Sequence, residues 1–192
     1  MRRRSIALLL VAISLAGCAG RDEGAGEEAA QAVVLPAEMV LMPIIDERPP
    51  RPESADVSRE VRDSAVRLLG KRGYAVTPRD EFEKGAVAAP TTLIGKTGRE
   101  LAAIGPRDAG ALVFVAIEQV EKGYDYGGDQ YRVTLAAVIV DPRSGSIVWR
   151  GKGFGTTSLG GFLRILTLRS ASYEAVYSAV RNVFRSLPKI RS

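Results

Sequence analysis

The sequence predicts an α/β domain in which helices cover a mixed sheet of about five strands, ordered strand–helix–strand and then a helix and three antiparallel strands. Three observations support this fold class. Two short apolar runs flank an amphipathic segment between residues 38 and 77, as in a unit with parallel strands. Three longer β-branched segments separated by turn residues predict antiparallel strands. A wide apolar stripe near the C-terminus predicts a helix that packs on the sheet.

The first predicted strand is Glu38–Ile44, an apolar run that Pro43 closes and that is too short for a helix. The stretch IDERPPRPES after it contains three prolines and predicts an exposed loop. A helix is expected from Asp56, which is the expected N-terminal cap, to a closing turn at Gly73. The apolar positions of this helix are Val57, Val61, Ala65, Leu68 and Leu69.

Residues 74–77, YAVT, predict the second strand, which should lie parallel to the first. Residues 78–94 show little periodicity and predict a loop with some helical character around Asp80 to Lys84. Thr97 and Glu100 have the spacing of a capping box, which predicts a helix through Ile104. The trio GKT before that helix lacks the earlier glycine of a phosphate-binding loop, so nucleotide binding is not expected.

The second half predicts three consecutive antiparallel strands, Gly110–Val120, Tyr131–Asp141 and Ser146–Phe154. The connectors Glu121–Gln130 and Asp141–Gly145 hold Gly, Asp and Pro at turn positions. Alternation in the last strand predicts one face with Ile147 and Trp149 and another with Val148 and Arg150. A helix is expected from Ser170 to Leu187, with an apolar stripe of Tyr173, Val176, Tyr177, Val180, Val183, Phe184 and Leu187.

The N-terminus has the pattern of a secretory signal peptide, with three arginines, a mainly apolar run of ten residues from Ile6 to Leu15, and then Ala16 and Gly17. The apolar run is too short for a permanent membrane helix, which needs roughly 20 residues. Leu15 to Cys18, LAGC, resembles the lipobox of bacterial lipoproteins. The resemblance implies cleavage between Gly17 and Cys18 and acylation of the Cys18 sulfur with diacylglycerol. A chance cysteine in a plain secretory signal, or a twin-arginine signal, is the alternative.

The predicted organisation has three parts: a signal peptide at residues 1–17, an acylated cysteine with a flexible tether at 18–36, and one periplasmic domain at 37–192. The tether is rich in Gly, Ala and acidic residues, and it would reach roughly 25 Å. Ala19 follows the cysteine, where lipoproteins of the inner membrane carry Asp. We therefore expect a lipid-anchored protein on the periplasmic face of the outer membrane.

Composition excludes several kinds of chemistry. The formal net charge is +5, but three of the basic residues are Arg2, Arg3 and Arg4 of the signal peptide, so no nucleic-acid partner is expected. The chain has no histidine, which removes the usual general base and the commonest zinc ligand. With one cysteine it also has no disulfide of its own. No cofactor, metal site or catalytic residue is therefore expected.

Four short motifs resemble, in order and spacing, a group of bacterial periplasmic lipoproteins. They are Pro43 after the first strand, Gly73 to Val76, Ala109 to Ala111, and Asp141 to Trp149. The group comprises curli secretion lipoproteins, lipoprotein activators of penicillin-binding proteins, and outer-membrane lipoproteins of unknown function. The resemblance covers about residues 38–155 and implies an α/β sandwich that serves as a scaffold or docking module.

The strongest candidate for a contact surface is Thr156 to Leu168, an apolar stretch after a Gly-Gly pair. It could instead be a buried connection under the last helix. As a contact it would meet the membrane, a partner protein or a second copy of the chain. Its candidate contact residues are Phe162, Leu163, Ile165, Leu166 and Leu168.

Tyr124, Tyr126 and Tyr131 flank the GGD of the longest connector, where tyrosines more often cover the end of a sheet than bind a sugar or a peptide. The function expected from the sequence is a non-enzymatic scaffold or accessory subunit of envelope machinery for transport, secretion or cell-wall assembly. The alternative is a periplasmic enzyme that cleaves cell-wall glycan or peptide through carboxylates. The acids available for it are Asp46, Glu47, Asp80, Glu81 and Glu83.

Overall fold

A computed structural model describes residues 35–49, 54–79, 92–125, 128–157 and 171–190. All of them belong to one compact unit, Val33–Ser192. The elements of the described residues are β1 (Glu38–Leu41), β2 (Ile45–Asp46), α1 (Ser54–Gly70), β3 (Ala75–Pro78), α2 (Gly98–Ala102), β4 (Leu112–Asp125), β5 (Gly128–Asp141), β6 (Ser146–Thr156), α3 (Ala171–Val183) and a 3₁₀ turn (Phe184–Ser186).

The strands form one mixed sheet in the order β3-β1-β4-β5-β6, and β2 pairs with β4 beyond the end of β1. Strand β1 pairs in parallel with β3 and with β4, and β2 pairs in parallel with β4. Strands β4, β5 and β6 form an antiparallel meander. The predicted fold class is therefore confirmed, including the C-terminal helix that packs on the sheet. The four motifs of the sequence resemblance lie at strand ends and in the hairpin between β5 and β6.

The first predicted strand is divided in two. The Met42 N–H still donates to the Val113 carbonyl, at 2.9 Å, but Pro43 has no N–H to continue the ladder. Pairing resumes at Ile45, opposite Ala116, so part of the stretch predicted as loop is strand β2.

The hairpin between β4 and β5 is longer than expected. The register continues to the pair Asp125–Gly128, so most of the predicted connector Glu121–Gln130 belongs to the two strands. The turn predicted at Asp141–Gly145 is confirmed, with Gly145 at a φ of 67°.

The predicted alternation in β6 is wrong. Ile139 pairs with Trp149 and Val140 pairs with Ile147, so Val148 is the extra residue of a β-bulge. The bulge places Ile147 and Trp149 on opposite faces, where they pack against different core clusters.

Each face of the sheet carries its own hydrophobic cluster. On one face α1 and α3 cover β1 and the long strands, and Trp149 stacks on Phe184 with ring centroids 5.6 Å apart. On the other face α2 and its flanking loops cover only the end of the sheet near the β5–β6 turn, with Phe114 and Leu101 at the centre. The remainder of that second face is not covered by any described element.

The helix ends follow the predicted chemistry, but three bounds differ: α1 starts earlier, α2 ends at Ala102 and not at Ile104, and α3 ends at Val183 and not at Leu187. Helix α1 begins at Ser54, so Asp56 lies in the first turn and is not the cap, although its charge still favours the helix N-terminus. Gly73 adopts a φ of 93° after the helix, as predicted. The capping box is confirmed: the Thr97 N–H donates to the Glu100 carboxylate at 2.8 Å, and the Glu100 N–H donates to the Thr97 hydroxyl at 3.3 Å. Of the described helices, none is long and apolar enough to cross a membrane.

Candidate interaction surfaces

The residues to which the sequence assigns a membrane role lie outside the described residues. This holds for the cleavage and lipidation positions Gly17 and Cys18. It also holds for the candidate contact residues Phe162, Leu163, Ile165, Leu166 and Leu168. Their roles stay predictions.

The carboxylates considered for catalysis have structural partners where they are described. Asp46 forms a two-pronged pair with Arg48, with N–O distances of 2.6 and 2.7 Å. The Glu47 carboxylate accepts the hydroxyl of Thr92 at 2.8 Å and the N–H of Leu93 at 2.7 Å. These contacts hold the segment that leads to α2 against β2. Asp80, Glu81 and Glu83 lie outside the described residues, and the described residues contain no group of acids or cysteines that could hold a metal ion.

A cleft of about 560 Å³ lies between the first turns of α1 and the far ends of β4 and β5. Its apolar floor includes Val57 and Val120, and the Lys122 ammonium lies 5.7 Å from the centre of the Tyr131 ring. The rim carries both acidic and basic side chains, so the cleft favours neither sign of charge. Tyr131 is a residue of β5 that partly covers the core, as expected for a tyrosine at the end of a sheet.

The uncovered part of the second sheet face forms a polar surface with one large apolar side chain, and we call it the open face. Phe154 is 61% exposed there and lies beside Lys152, Thr134 and Gln119 around a shallow depression. The Lys152 ammonium pairs with Glu118 at 2.7 Å, which keeps its charge balanced beside the ring.

Strand β6 is an edge of the sheet, and none of the described strands pairs with its outer side. The Thr157 N–H donates to the Tyr131 carbonyl at 3.0 Å, which fixes the alternation of the ladder. Successive residues of a strand alternate in direction, and Phe154 and Lys152 lie an odd number of positions before Thr157, so they direct their backbone N–H and C=O groups away from β5. The Asn182 amide donates to the Phe154 carbonyl at 2.8 Å and so occupies one of these edge groups.

The open face corresponds to a pattern that is visible in the sequence of β6. Gly151, Gly153 and Gly155 alternate with Lys152 and Phe154. Glycine at every second position indicates a strand face that another backbone approaches closely, which leaves the alternate side chains on the other side.

At the opposite end of the sheet, the β5–β6 turn is held by Asp141. Its carboxylate accepts the Arg143 N–H at 2.9 Å and the Ser144 hydroxyl at 2.8 Å, and these bonds lower its pKa. The pKa of Glu100 is also lowered, chiefly because it accepts the backbone N–H of Thr97. Burial raises the pKa of Tyr74, whose hydroxyl donates to the Pro188 carbonyl at 2.8 Å. The lowered pKa values of Asp141 and Glu100 reflect hydrogen bonds that stabilise local structure, and neither these two residues nor Tyr74 lines the cleft.

Solved structures share this fold. A point-variant PelC dodecamer from Paraburkholderia phytofirmans superposes with a TM-score of 0.54 and 14% identity, covering 84% of this chain and 96% of that one. The PelC dodecamer from the same organism gives 0.52 and 16%, covering 81% and 89%. Lipoprotein GNA1162 from Neisseria meningitidis gives 0.49 and 20%, covering 69% and 94%. At these identities the likeness to the two PelC structures shows a common fold. No protein-family model and no curated protein sequence matches the chain.

Proposed function

We propose that this chain is a lipid-anchored protein of the bacterial envelope whose domain is a non-enzymatic scaffold that assembles through its open face and β6 edge. The anchor is the diacylglycerol-modified Cys18, and Ala19 after it directs the protein to the periplasmic side of the outer membrane. The machinery it serves is one for transport, secretion or cell-wall assembly, in line with the sequence resemblance to curli secretion lipoproteins and activators of penicillin-binding proteins.

One observation carries this proposal: the described sheet leaves both a face and an edge uncovered at β6, with Phe154 61% exposed between them. A neighbour aligned along β6 would take up outward N–H and C=O groups other than the Phe154 carbonyl, which Asn182 occupies, and would bury the Phe154 ring. Fully burying a side chain of this size contributes about 1.5–3 kcal/mol.

The occupant that we propose is a second copy of the chain. The two PelC structures support this choice because each is a dodecamer, so a domain of this fold can assemble with copies of itself. The apolar segment with Leu163 and Leu166 is proposed as a further contact, with the membrane or with the neighbouring copy.

The test is the molar mass of the whole protein particle, measured by light scattering on the acylated protein extracted in mild detergent. The wild type should be an oligomer, and Phe154→Asp should shift it towards the monomer because a charge replaces the buried ring. Ile94→Asp is the matched control, since Ile94 is 73% exposed in the loop before α2 and is not a residue of β6. The double variant Leu163→Asp with Leu166→Asp, in the same assay, tests the second segment.

A monomeric wild type would contradict assembly altogether. An oligomer that dissociates equally in Phe154→Asp and Ile94→Asp would place the contact elsewhere or indicate a general loss of stability. If Leu163→Asp with Leu166→Asp leaves both the mass and membrane binding unchanged, that segment is not a contact.

A further inference from the structure

Three arginine side chains surround a shallow depression of about 440 Å³ beside the β5–β6 turn. Arg99 lies on α2, Arg107 in the loop after it, and Arg143 in the turn itself. Helix α2 and the β5–β6 turn pack closely on each other, because a Cβ on Gly98 would collide with the Gly145 carbonyl and lie 3.0 Å from the Ile147 nitrogen. The guanidinium groups are thus presented from a rigid base.

All three guanidinium groups are exposed, and none of them forms an ion pair with a carboxylate of the described residues. The nearest acid along the turn, Asp141, already accepts two hydrogen bonds from the turn. Like charges held around one depression repel each other unless an anion lies between them. Arginine presents a fork of N–H donors that matches the oxygens of a phosphate group.

The depression lies at the end of the sheet where the chain enters the domain from the tether. A row of paired residues crosses the sheet from Val40 through Leu112 to Val140, which places the start of β1 and the β5–β6 turn at the same end. Pro36 lies beside Gly110, since a Cβ on that glycine would be 3.3 Å from the Pro36 Cβ. We call this end of the domain the tether end.

Other basic residues gather at the tether end. The α1 C-terminus and the C-terminal tail meet there, where the Ile190 N–H donates to the Arg72 carbonyl at 2.9 Å. Among the described residues, the further basic side chains of this end are Lys71, Arg72, Lys96, Arg185 and Lys189, against the acids Glu38, Glu100, Asp108 and Asp141, and Glu100 pairs with Lys96. A membrane surface with anionic lipids attracts such an excess of positive charge.

We propose that the three-arginine depression binds the phosphate group of anionic lipids in the membrane to which Cys18 tethers the domain. Binding there turns the tether end towards the membrane. This inference rests on the proposed lipid anchor, because the tether is what makes a lipid the available source of phosphate.

The test uses the chain from residue 18 onward with Cys18→Ser, so that neither a signal segment nor an acyl chain contributes to binding. This form retains the whole compact unit. Cosedimentation is measured with vesicles of phosphatidylcholine, with and without phosphatidylglycerol, at about 0.15 M ionic strength, where charges are screened beyond about 8 Å. In the test variant Arg99, Arg107 and Arg143 are all replaced by Gln. In the control variant the exposed Arg59, Lys122 and Arg132, which lie away from the tether end, are replaced by Gln for the same change in net charge.

We expect binding only to vesicles with phosphatidylglycerol, and a loss of about fivefold for each arginine, or roughly a hundredfold in the test variant. The control variant should stay within about threefold of the wild type, because its charges lie beyond the screening distance from the surface. Equal losses in the two variants would show general electrostatic attraction and would overturn the proposal.

The last measurement is a calorimetric titration with inorganic phosphate at matched ionic strength. If titration calorimetry shows phosphate binding that depends on the three arginines while vesicles with phosphatidylglycerol do not bind, the ligand is a free anion and the lipid assignment is wrong. The result is independent of the anchor itself. A Cys18 that takes up no palmitate would leave the vesicle data unchanged, and failed vesicle binding would leave palmitate labelling unchanged.

Discussion

The close packing of α3 on β6 should make Gly153→Ala destabilising, although alanine is usually the better residue in a strand. Gly151, Gly153 and Gly155 face α3, and the helix backbone approaches them directly. A Cβ on Gly153 would lie 2.5 Å from the Val183 nitrogen and 2.9 Å from the Asn182 carbonyl carbon. These atoms belong to the helix backbone and cannot rotate away.

The size of the effect follows from that geometry. The 2.5 Å contact is about 1 Å shorter than the distance at which non-bonded atoms attract optimally, so α3 would have to move outward by a similar amount. Overpacking of this kind costs about 1–3 kcal/mol, whereas replacing a strand glycine by alanine gains about 0.5–1 kcal/mol. We expect a net loss of about 1–2 kcal/mol in the free energy of unfolding.

The assay is urea unfolding of the chain from residue 18, monitored by far-UV circular dichroism. Gly123→Ala is the matched control, because Gly123 also lies in a strand and a Cβ there meets nothing within 4 Å. Neither glycine has a positive φ, so backbone strain does not distinguish them. The control should be neutral or slightly more stable. Equal unfolding midpoints for the two variants would refute the close approach of α3 to β6.

Two further outcomes are expected, one for acid stability and one for lipidation. The folded pKa of Asp141 is lowered below 3.8 chiefly by the Arg143 N–H, so its contribution to stability is complete above that pH and is lost as the pH falls through the folded pKa. The urea midpoints of wild type and Asp141→Asn should therefore differ more at pH 7 than near pH 3, and a constant difference would contradict this role. For lipidation, Cys18→Ser should leave an unprocessed precursor without palmitate in labelled cells, with Phe154→Asp as a normally labelled control. Palmitate on the serine variant would disprove the anchor.

The features that the sequence predicted correctly are governed by short-range chemistry. Thr97 and Glu100 are three residues apart, and their reciprocal hydrogen bonds need no tertiary partner. The same holds for the Asp141 turn and for the stripe of α1, in which Val57, Val61 and Leu69 are all buried. Parallel pairing of β1 with β3 follows from the helix between them, which leaves little choice of direction.

The errors arise where a distant strand decides the conformation. Glu121–Gln130 holds glycine and aspartate and therefore resembles a loop. Pairing with the opposite strand, including a cross-strand contact between Lys122 and Tyr131, keeps most of it in β4 and β5. The bulge at Val148 likewise depends on the register with β5, so a strict two-residue period assigned Ile147 to the wrong face.

The tether-end arginines could not be found from sequence spacing. Arg99, Arg107 and Arg143 belong to three different segments, and only the packing of α2 on the β5–β6 turn brings them together. By contrast, the exposure of Phe154 could have been inferred from the alternating glycines around it. Clusters that tertiary contacts assemble leave no periodic pattern, whereas a packed strand face does.

The two proposed surfaces are geometrically compatible. If the tether end faces the membrane, the long strands rise away from it, and the 14 residues of β4 extend over about 45 Å. The edge of β6 and the open face then point sideways, parallel to the membrane plane. Subunits anchored in one membrane would meet through these lateral surfaces without leaving it, and a tether with a reach of roughly 25 Å would allow each domain to rotate into register. Lipid binding and assembly would therefore reinforce each other, because each fixes an orientation that the other requires.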